Sequence, residues 1–123
     1  MDVIRGEVKN MADITIPFSW NMARAAIEGY KVCTSRSDQK GEIGDTFFIV
    51  HPDAKKTCDF RIIDIKELPL SYITGALYRQ EGCKTSREFI DLWKSLHRGH
   101  YRPDKEYFVH WFARIEYTGD TRR

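Results

Sequence analysis

The sequence predicts a small α+β domain in which a β-barrel is flanked by helices. With 123 residues, 41% of them hydrophobic, the chain can bury a single core. Several segments alternate apolar and polar residues, as strands with one buried face do. Two other segments place apolar residues at helical spacing behind a Ser or Thr suited to capping. We therefore expect one domain over residues 12–117, between a flexible leader (1–11) and a flexible tail (118–123).

The first part of the domain is predicted to contain a strand, a helix and a second short strand. Ile14 and Ile16 alternate with polar residues before Pro17, which predicts the strand. Ser19 is suited to capping the helix and Gly29 to ending it. The apolar face of this helix comprises Trp20, Ala23 and Ile27. The second strand follows at Lys31–Arg36.

The remaining elements are a hairpin, a helix and a last strand. Residues 46–50 and 58–68 are rich in β-branched and aromatic side chains and are joined by a turn, which predicts a hairpin. Thr85 and Glu88 form a capping box, so a helix should begin at residue 86 and end near 97. The segment 107–117 carries aromatic rings on both faces, which predicts a central or barrel-closing strand.

Charge and cysteine content exclude several classes of protein. The 20 basic and 18 acidic side chains leave a formal charge of +2, so the chain as a whole attracts polyanions weakly. Cys33, Cys58 and Cys83 form no CxxC pair, which predicts reduced thiols in a cytoplasmic protein. Residues 1–11 are polar, and no apolar run is long enough to span a bilayer, so neither export nor a membrane location is expected.

A metal site and a thiol nucleophile are weaker candidates. His97, His100 and His110 could bind a metal, but no fourth ligand stands at a usual spacing, so no metal and no cofactor is expected. Cys33 lies beside Thr34, but no His is near it in sequence and a buried Cys is usually inert.

The segment after the first helix carries the best candidates for a functional site. Thr34 and Arg36 should point to the same face, because side chains of a strand repeat every two residues. Lys31 precedes them on a turn and can bend toward them. A Thr hydroxyl needs a neighbour to accept its proton before it can act as a nucleophile, and a neutral Lys31 could do so. Tyr30 on the exposed turn could stack on a base. The alternative is that Lys31 and Arg36 are surface cations, Thr34 is an ordinary strand residue and Glu81 is a solvated side chain.

The ordered set of motifs resembles the ASCH domain over roughly residues 12–116. The resemblance is carried by Gly29-x-Lys31-x-x-Thr34-x-Arg36, then Gly44-Asp45 before a hydrophobic strand, a helix near residue 90 and a final aromatic strand. ASCH domains are similar in fold to PUA domains, small β-barrels that bind RNA. The resemblance implies a PUA-like barrel with a cleft that accepts a nucleotide or an RNA segment.

The resemblance also implies roles for individual residues. Some small bacterial ASCH proteins are amidohydrolases that remove the acetyl group from N4-acetylcytidine, with a Lys as proton acceptor, a Thr as nucleophile and a Glu as proton donor. Lys31, Thr34 and Glu81 occupy these positions here. Tyr30 stands where Arg or Lys is common in the family.

Three functions follow as expectations. The first is recognition of RNA or a modified nucleoside, in which Lys31 and Arg36 contact phosphate or base, Thr34 supplies a hydroxyl, Glu81 accepts from an exocyclic amine and Tyr30 stacks. The second is hydrolysis of N4-acetylcytidine by the same cleft. The third is a protein-interaction or ribosome-associated module in which the cleft is vestigial.

Overall fold

The structure is a computed structural model that describes residues 12–51, 53 and 57–115. The predicted leader (1–11) and tail (118–123) lie outside these residues. Within these residues the structure has three helices and four strands, in the order α1 (Trp20–Ile27), β1 (Cys33–Arg36), β2 (Thr46–Val50), β3 (Thr57–Pro69), α2 (Leu70–Ala76), α3 (Ser86–Leu96) and β4 (Glu106–Arg114). None of the helices in the described part of the chain is long and apolar enough to cross a membrane.

The four strands form one antiparallel sheet in the order β1-β4-β3-β2. The predicted hairpin is present, with Phe47 opposite Phe60 across β2 and β3. Strand β4 pairs with both β1 and β3, so the prediction of a central last strand is confirmed. A register shift in β3 between Ile62 and Asp64 interrupts the pairing with β4, and such irregularities bend a strand. The sheet curls into a half-barrel beside the helices, which confirms the predicted α+β class.

Two apolar clusters cover opposite faces of the central strand. Tyr107 and Val109 of β4 belong to one cluster and Phe112 to the other, as the period of two along a strand requires. The first cluster, here called the phenylalanine cluster, contains Ile16, Ala23, Ala26, Phe47, Ile49, Cys58, Phe60, Ile62 and Phe112. The second, the tryptophan cluster, packs α2 and α3 on the sheet and contains Cys33, Leu70, Ile73, Leu77, Cys83, Phe89, Trp93, Tyr107 and Val109.

Helices α1 and α3 begin where their capping residues predict. The Ser19 hydroxyl accepts a hydrogen bond from Met22 N at 3.4 Å, and the Thr85 hydroxyl accepts one from Glu88 N at 3.0 Å. Side-chain caps of this kind satisfy backbone donors that the first helical turn leaves unpaired. Gly29 follows α1 with a φ of 92°, the left-handed conformation that ends many helices.

Two predictions about the first part of the domain are wrong. Residues 14–16 are not a strand; Ile14 N instead bonds Thr46 O at 3.1 Å, beside the start of β2. Trp20 was expected in the core, but 71% of its surface is exposed, and the buried face of α1 consists of Ala23 and Ala26. Alanines let the helix approach the sheet closely, and Trp20 at the first helical position lies outside that contact.

Candidate functional site

A tight turn brings Glu81 to the start of β1. The backbone N–H groups of Val32 and Cys33 both donate to Gln80 O, at 2.8 and 3.1 Å. Gly82 follows with a φ of 101°, and a Cβ atom at this position would lie 3.1 Å from Lys31 Cβ. A residue without a side chain therefore lets the turn lie directly against Lys31.

Lys31, Ser35 and Glu81 form a buried polar cluster. Lys31 Nζ donates to Glu81 Oε1 at 3.1 Å and to the Glu81 backbone carbonyl at 3.0 Å. Ser35 Oγ donates to the other carboxylate oxygen, Glu81 Oε2, at 2.5 Å. Only 3% of Lys31 and 4% of Glu81 is exposed. Burying two charges is costly even when they are paired, so stability alone is a poor explanation for this cluster.

Thr34 and Arg36 form a second polar pair on the opposite face of β1. Arg36 Nε donates to Thr34 Oγ1 at 3.3 Å, and Arg36 Nη2 donates to the Pro17 carbonyl at 2.7 Å. The guanidinium carbon also lies 5.3 Å from the centre of the Phe18 ring, a distance typical of a cation–π contact. Arg36 is thus held in place by three groups.

Both polar groups line one cavity of about 280 Å³ at the β1 edge of the sheet. One wall comes from the segment that enters α1, including Phe18 and Met22. The opposite wall comes from α3, where the rings of Trp93 and His97 stack with 4.1 Å between their centres. The cavity therefore combines a charged floor with aromatic and apolar walls, the composition that small-molecule sites usually have.

Burial and charge also decide which groups in this region can react. Burial raises the pKa of the Cys33 thiol well above its ordinary value, and the nearby Glu81 carboxylate raises it further. Cys33 therefore stays protonated, which argues against it as a nucleophile. Burial lowers the pKa of Arg36, and Glu81 opposes this shift.

The structure brings together four of the five predicted site residues. Lys31, Thr34, Arg36 and Glu81 all line the cavity, whereas 69% of Tyr30 is exposed and Tyr30 is not part of the lining. The alternative that Lys31 and Glu81 are solvated surface charges is wrong, because both are buried. The stacking role of Tyr30 stays a prediction.

Ser35 belongs to the polar cluster of the cavity but was not predicted from the sequence. The alternation of side chains along β1 turns Ser35 away from Thr34 and Arg36, but the cavity extends past the edge strand and reaches both of its faces. The sequence places Ser35 only four residues after Lys31. It does not show that Ser35 bonds Glu81, because Glu81 is 46 residues away.

Two of the three histidines considered as metal ligands make other contacts. His110 is fully buried in the sheet, where Lys40 N donates to its Nε2 at 2.8 Å, so that Nδ1 carries the proton toward the Thr34 carbonyl at 3.2 Å. His97 stacks on Trp93. Among the described residues, no group of three or more His, Cys, Asp or Glu side chains is arranged to hold a metal ion.

Comparison with solved structures identifies the fold. The ASCH domain from Lactobacillus crispatus JV V101 is similar with a TM-score of 0.56 and 15% sequence identity, over 84% of this chain and 77% of that one. A protein of the DUF984 family from Enterococcus faecalis V583 is similar with a TM-score of 0.54 and 15% identity, over 77% of this chain and 67% of that one. No protein-family model and no curated protein matches the sequence. The chain thus has an ASCH-like fold, as its motifs predicted.

Proposed function

We propose that this ASCH-like protein recognises a modified nucleoside, free or within RNA, in the cavity beside β1. The observation that carries the proposal is the buried cluster of Lys31, Ser35 and Glu81 on the cavity floor. Buried charged groups that face a cavity are frequent at functional sites, because binding of a ligand or a reaction can compensate for their cost in stability.

The size of the cavity favours a single nucleoside over a larger ligand. Its volume of about 280 Å³ is just below the usual range for small-molecule pockets, about 300–1,000 Å³. The rings of Phe18 and Trp93 line the cavity and supply apolar surface that a base can contact. A long strand would have to extend beyond this cavity.

The polar groups match the edge of a cytosine-like base. The Glu81 carboxylate can accept a hydrogen bond from an exocyclic amine or amide N–H, and Lys31 and Arg36 can donate to ring or acyl oxygens. The hydroxyl of Thr34 can do either. This set of donors and acceptors supports recognition of a base that carries both an N–H and carbonyl groups, as N4-acetylcytosine does.

Hydrolysis of N4-acetylcytidine is the second candidate, favoured by the Lys31–Glu81 contact. A proton that moves from Lys31 Nζ to Glu81 over the 3.1 Å between them leaves an amine base and a carboxylic acid. The Thr34 oxygen would then add to the acetyl carbon and lose its proton to Lys31. Glu81 would protonate N4 as the C–N bond breaks, and water would hydrolyse the acetyl ester.

The experiment that separates the two functions uses purified protein and N4-acetylcytidine. Binding is followed by isothermal titration and release of cytidine by chromatography, with Thr34→Ala and Ser35→Ala in parallel. Recognition alone predicts binding without release. Hydrolysis predicts release that Thr34→Ala abolishes while the substrate still binds.

Two outcomes would change the account. Release that is lost in Ser35→Ala but retained in Thr34→Ala would assign the nucleophile to Ser35, whose hydroxyl donates to Glu81. An absence of both binding and release, with N4-acetylcytidine and with RNA that contains it, would contradict the proposal and favour an interaction module with a vestigial cleft.

A further inference from the structure

A cationic groove continues from the cavity along the loop between α3 and β4. Residues 97–105 contain three basic side chains, Arg98, Arg102 and Lys105, and one acidic side chain, Asp104. The formal net charge of these nine residues is therefore +2, the same as that of the entire chain. The groove has a volume of about 770 Å³ and is lined by all three cations, with no carboxylate among its lining residues. This loop therefore concentrates positive charge that the composition as a whole conceals.

The groove and the nucleoside cavity share a wall. Trp93, Leu96 and His97 line both. The aromatic stack of Trp93 and His97 thus separates the polar floor of the cavity from the cations of the loop. A ligand whose base occupies the cavity can reach the groove with the groups attached to its sugar.

The loop backbone is anchored by α2, and its three cations are exposed. Leu70 N donates to Lys105 O at 2.9 Å and Ser71 N to Pro103 O at 3.0 Å, so the start of α2 holds the loop backbone. Among the described residues, no carboxylate forms an ion pair with Arg98, Arg102 or Lys105. Because the backbone is held, binding of an anion has to order only these side chains and not the loop itself.

From this arrangement we propose that the groove binds a phosphate attached to the nucleoside in the cavity. This inference rests on the proposed function and narrows the ligand class to a phosphorylated nucleoside, either a mononucleotide or a nucleotide within a strand. Arg and Lys are the usual phosphate partners, Arg through paired donors and Lys as a point charge. The shared wall supports a phosphate on the same molecule over an unrelated anion.

The test compares ligands with and without phosphate. We would titrate N4-acetylcytidine, its 5′-monophosphate, and an RNA trinucleotide with N4-acetylcytidine at its centre into the native chain and into Arg102→Gln/Lys105→Gln. Lys66→Gln serves as the matched control, because Lys66 is an exposed lysine on β3 and lines a different pocket. At least one phosphorylated ligand should bind about tenfold more tightly than the nucleoside, the effect of one charged hydrogen bond. The double variant should lose this gain and the Lys66 variant should keep it.

The outcomes separate this inference from the proposed function. A gain for the monophosphate identifies the 5′-phosphate of the nucleoside, and a gain for the trinucleotide alone identifies its 3′-phosphate. Equal affinity for all three ligands would overturn the groove as a phosphate site and leave nucleoside recognition intact. A gain that survives in the double variant would overturn it as well. An absence of binding by every ligand would overturn both proposals.

Discussion

The phenylalanine cluster and the Lys31 cluster are both buried, but they differ in what their burial achieves. Phe47, Phe60 and Phe112 lie edge-to-face or stacked, with ring centres 5.4 to 5.7 Å apart. Burial of their surface stabilises the fold directly. Lys31 and Glu81 are buried to a similar degree, yet the loss of their hydration opposes folding.

The difference indicates that the two regions serve different purposes. One holds the sheet together, and the other is kept in the core despite its cost. If stability were the only role of the Lys31 cluster, apolar residues of similar volume would serve this role at least as well. Four predictions, in order of decreasing expected effect, test this difference between the phenylalanine cluster and the Lys31 cluster.

Phe112→Ala should destabilise the domain most. The ring of Phe112 contacts those of Phe18, Phe47 and Phe60, and its removal leaves a cavity that costs about 3–5 kcal/mol of unfolding free energy. Urea denaturation measures this loss. Phe48→Ala is the matched control, since 47% of Phe48 is exposed, and it should cost far less. Equal losses in the two variants would contradict the assignment of the core.

Lys31→Met should cost about 3 kcal/mol, because it leaves the buried Glu81 carboxylate without its cation. The double variant Lys31→Met/Glu81→Leu removes both charges and should recover most of that stability. A double-mutant cycle of urea unfolding curves measures the coupling between the two residues. A double variant less stable than either single variant would mean that the pair stabilises the fold and would undermine the contrast.

Gly82→Ala should perturb the site more than the fold. The added Cβ would lie 3.1 Å from Lys31 Cβ. The alanine would also have to keep the backbone φ of 101°, a conformation that costs a residue with a side chain about 1–2 kcal/mol. Gly44→Ala is the control, because Gly44 has a φ of 100° and no atom within 4 Å of the added Cβ. Both variants should lose similar stability, but only Gly82→Ala should weaken binding of N4-acetylcytidine. Equal affinity in the two variants would show that the position of Lys31 is not critical.

His110 should give the smallest effect, a loss of stability in mild acid. Burial lowers the pKa of its imidazole from the ordinary value of 6.5, with Arg36 as a further cause. The unfolded chain therefore binds a proton that the folded chain does not. His110 should leave the free energy of unfolding unchanged above about pH 7 and reduce it by at most about 1.4 kcal/mol per pH unit below 6.5.

Urea unfolding at pH 7.5 and 5.5 tests this dependence. His110→Gln should lose the part of the pH dependence that His110 contributes, and His100→Gln, on the exposed loop, should keep it. An unchanged pH dependence in His110→Gln would contradict the buried neutral state.

Local signals predicted the fold well, and distant contacts limited the prediction of the site. Ser19 and Thr85 cap their helices because capping depends on a few neighbouring residues. The burial of Lys31 could not be read in this way, because Glu81 lies 50 residues away and residue type alone favours an exposed lysine. Motif resemblance identified this pair. Ser35 was not predicted, because neighbouring side chains of a strand point to opposite faces and Thr34 was taken to define the site. The cavity in fact reaches both faces of β1.

Binding of N4-acetylcytidine to Lys31→Met/Glu81→Leu would show whether the buried Lys31 cluster serves to bind a ligand. We expect this double variant to fold, as circular dichroism and urea unfolding would report, and we expect titration calorimetry to detect binding to the native chain but none to the variant. Binding of equal affinity to both proteins would contradict the claim that the Lys31 cluster is retained for its ligand.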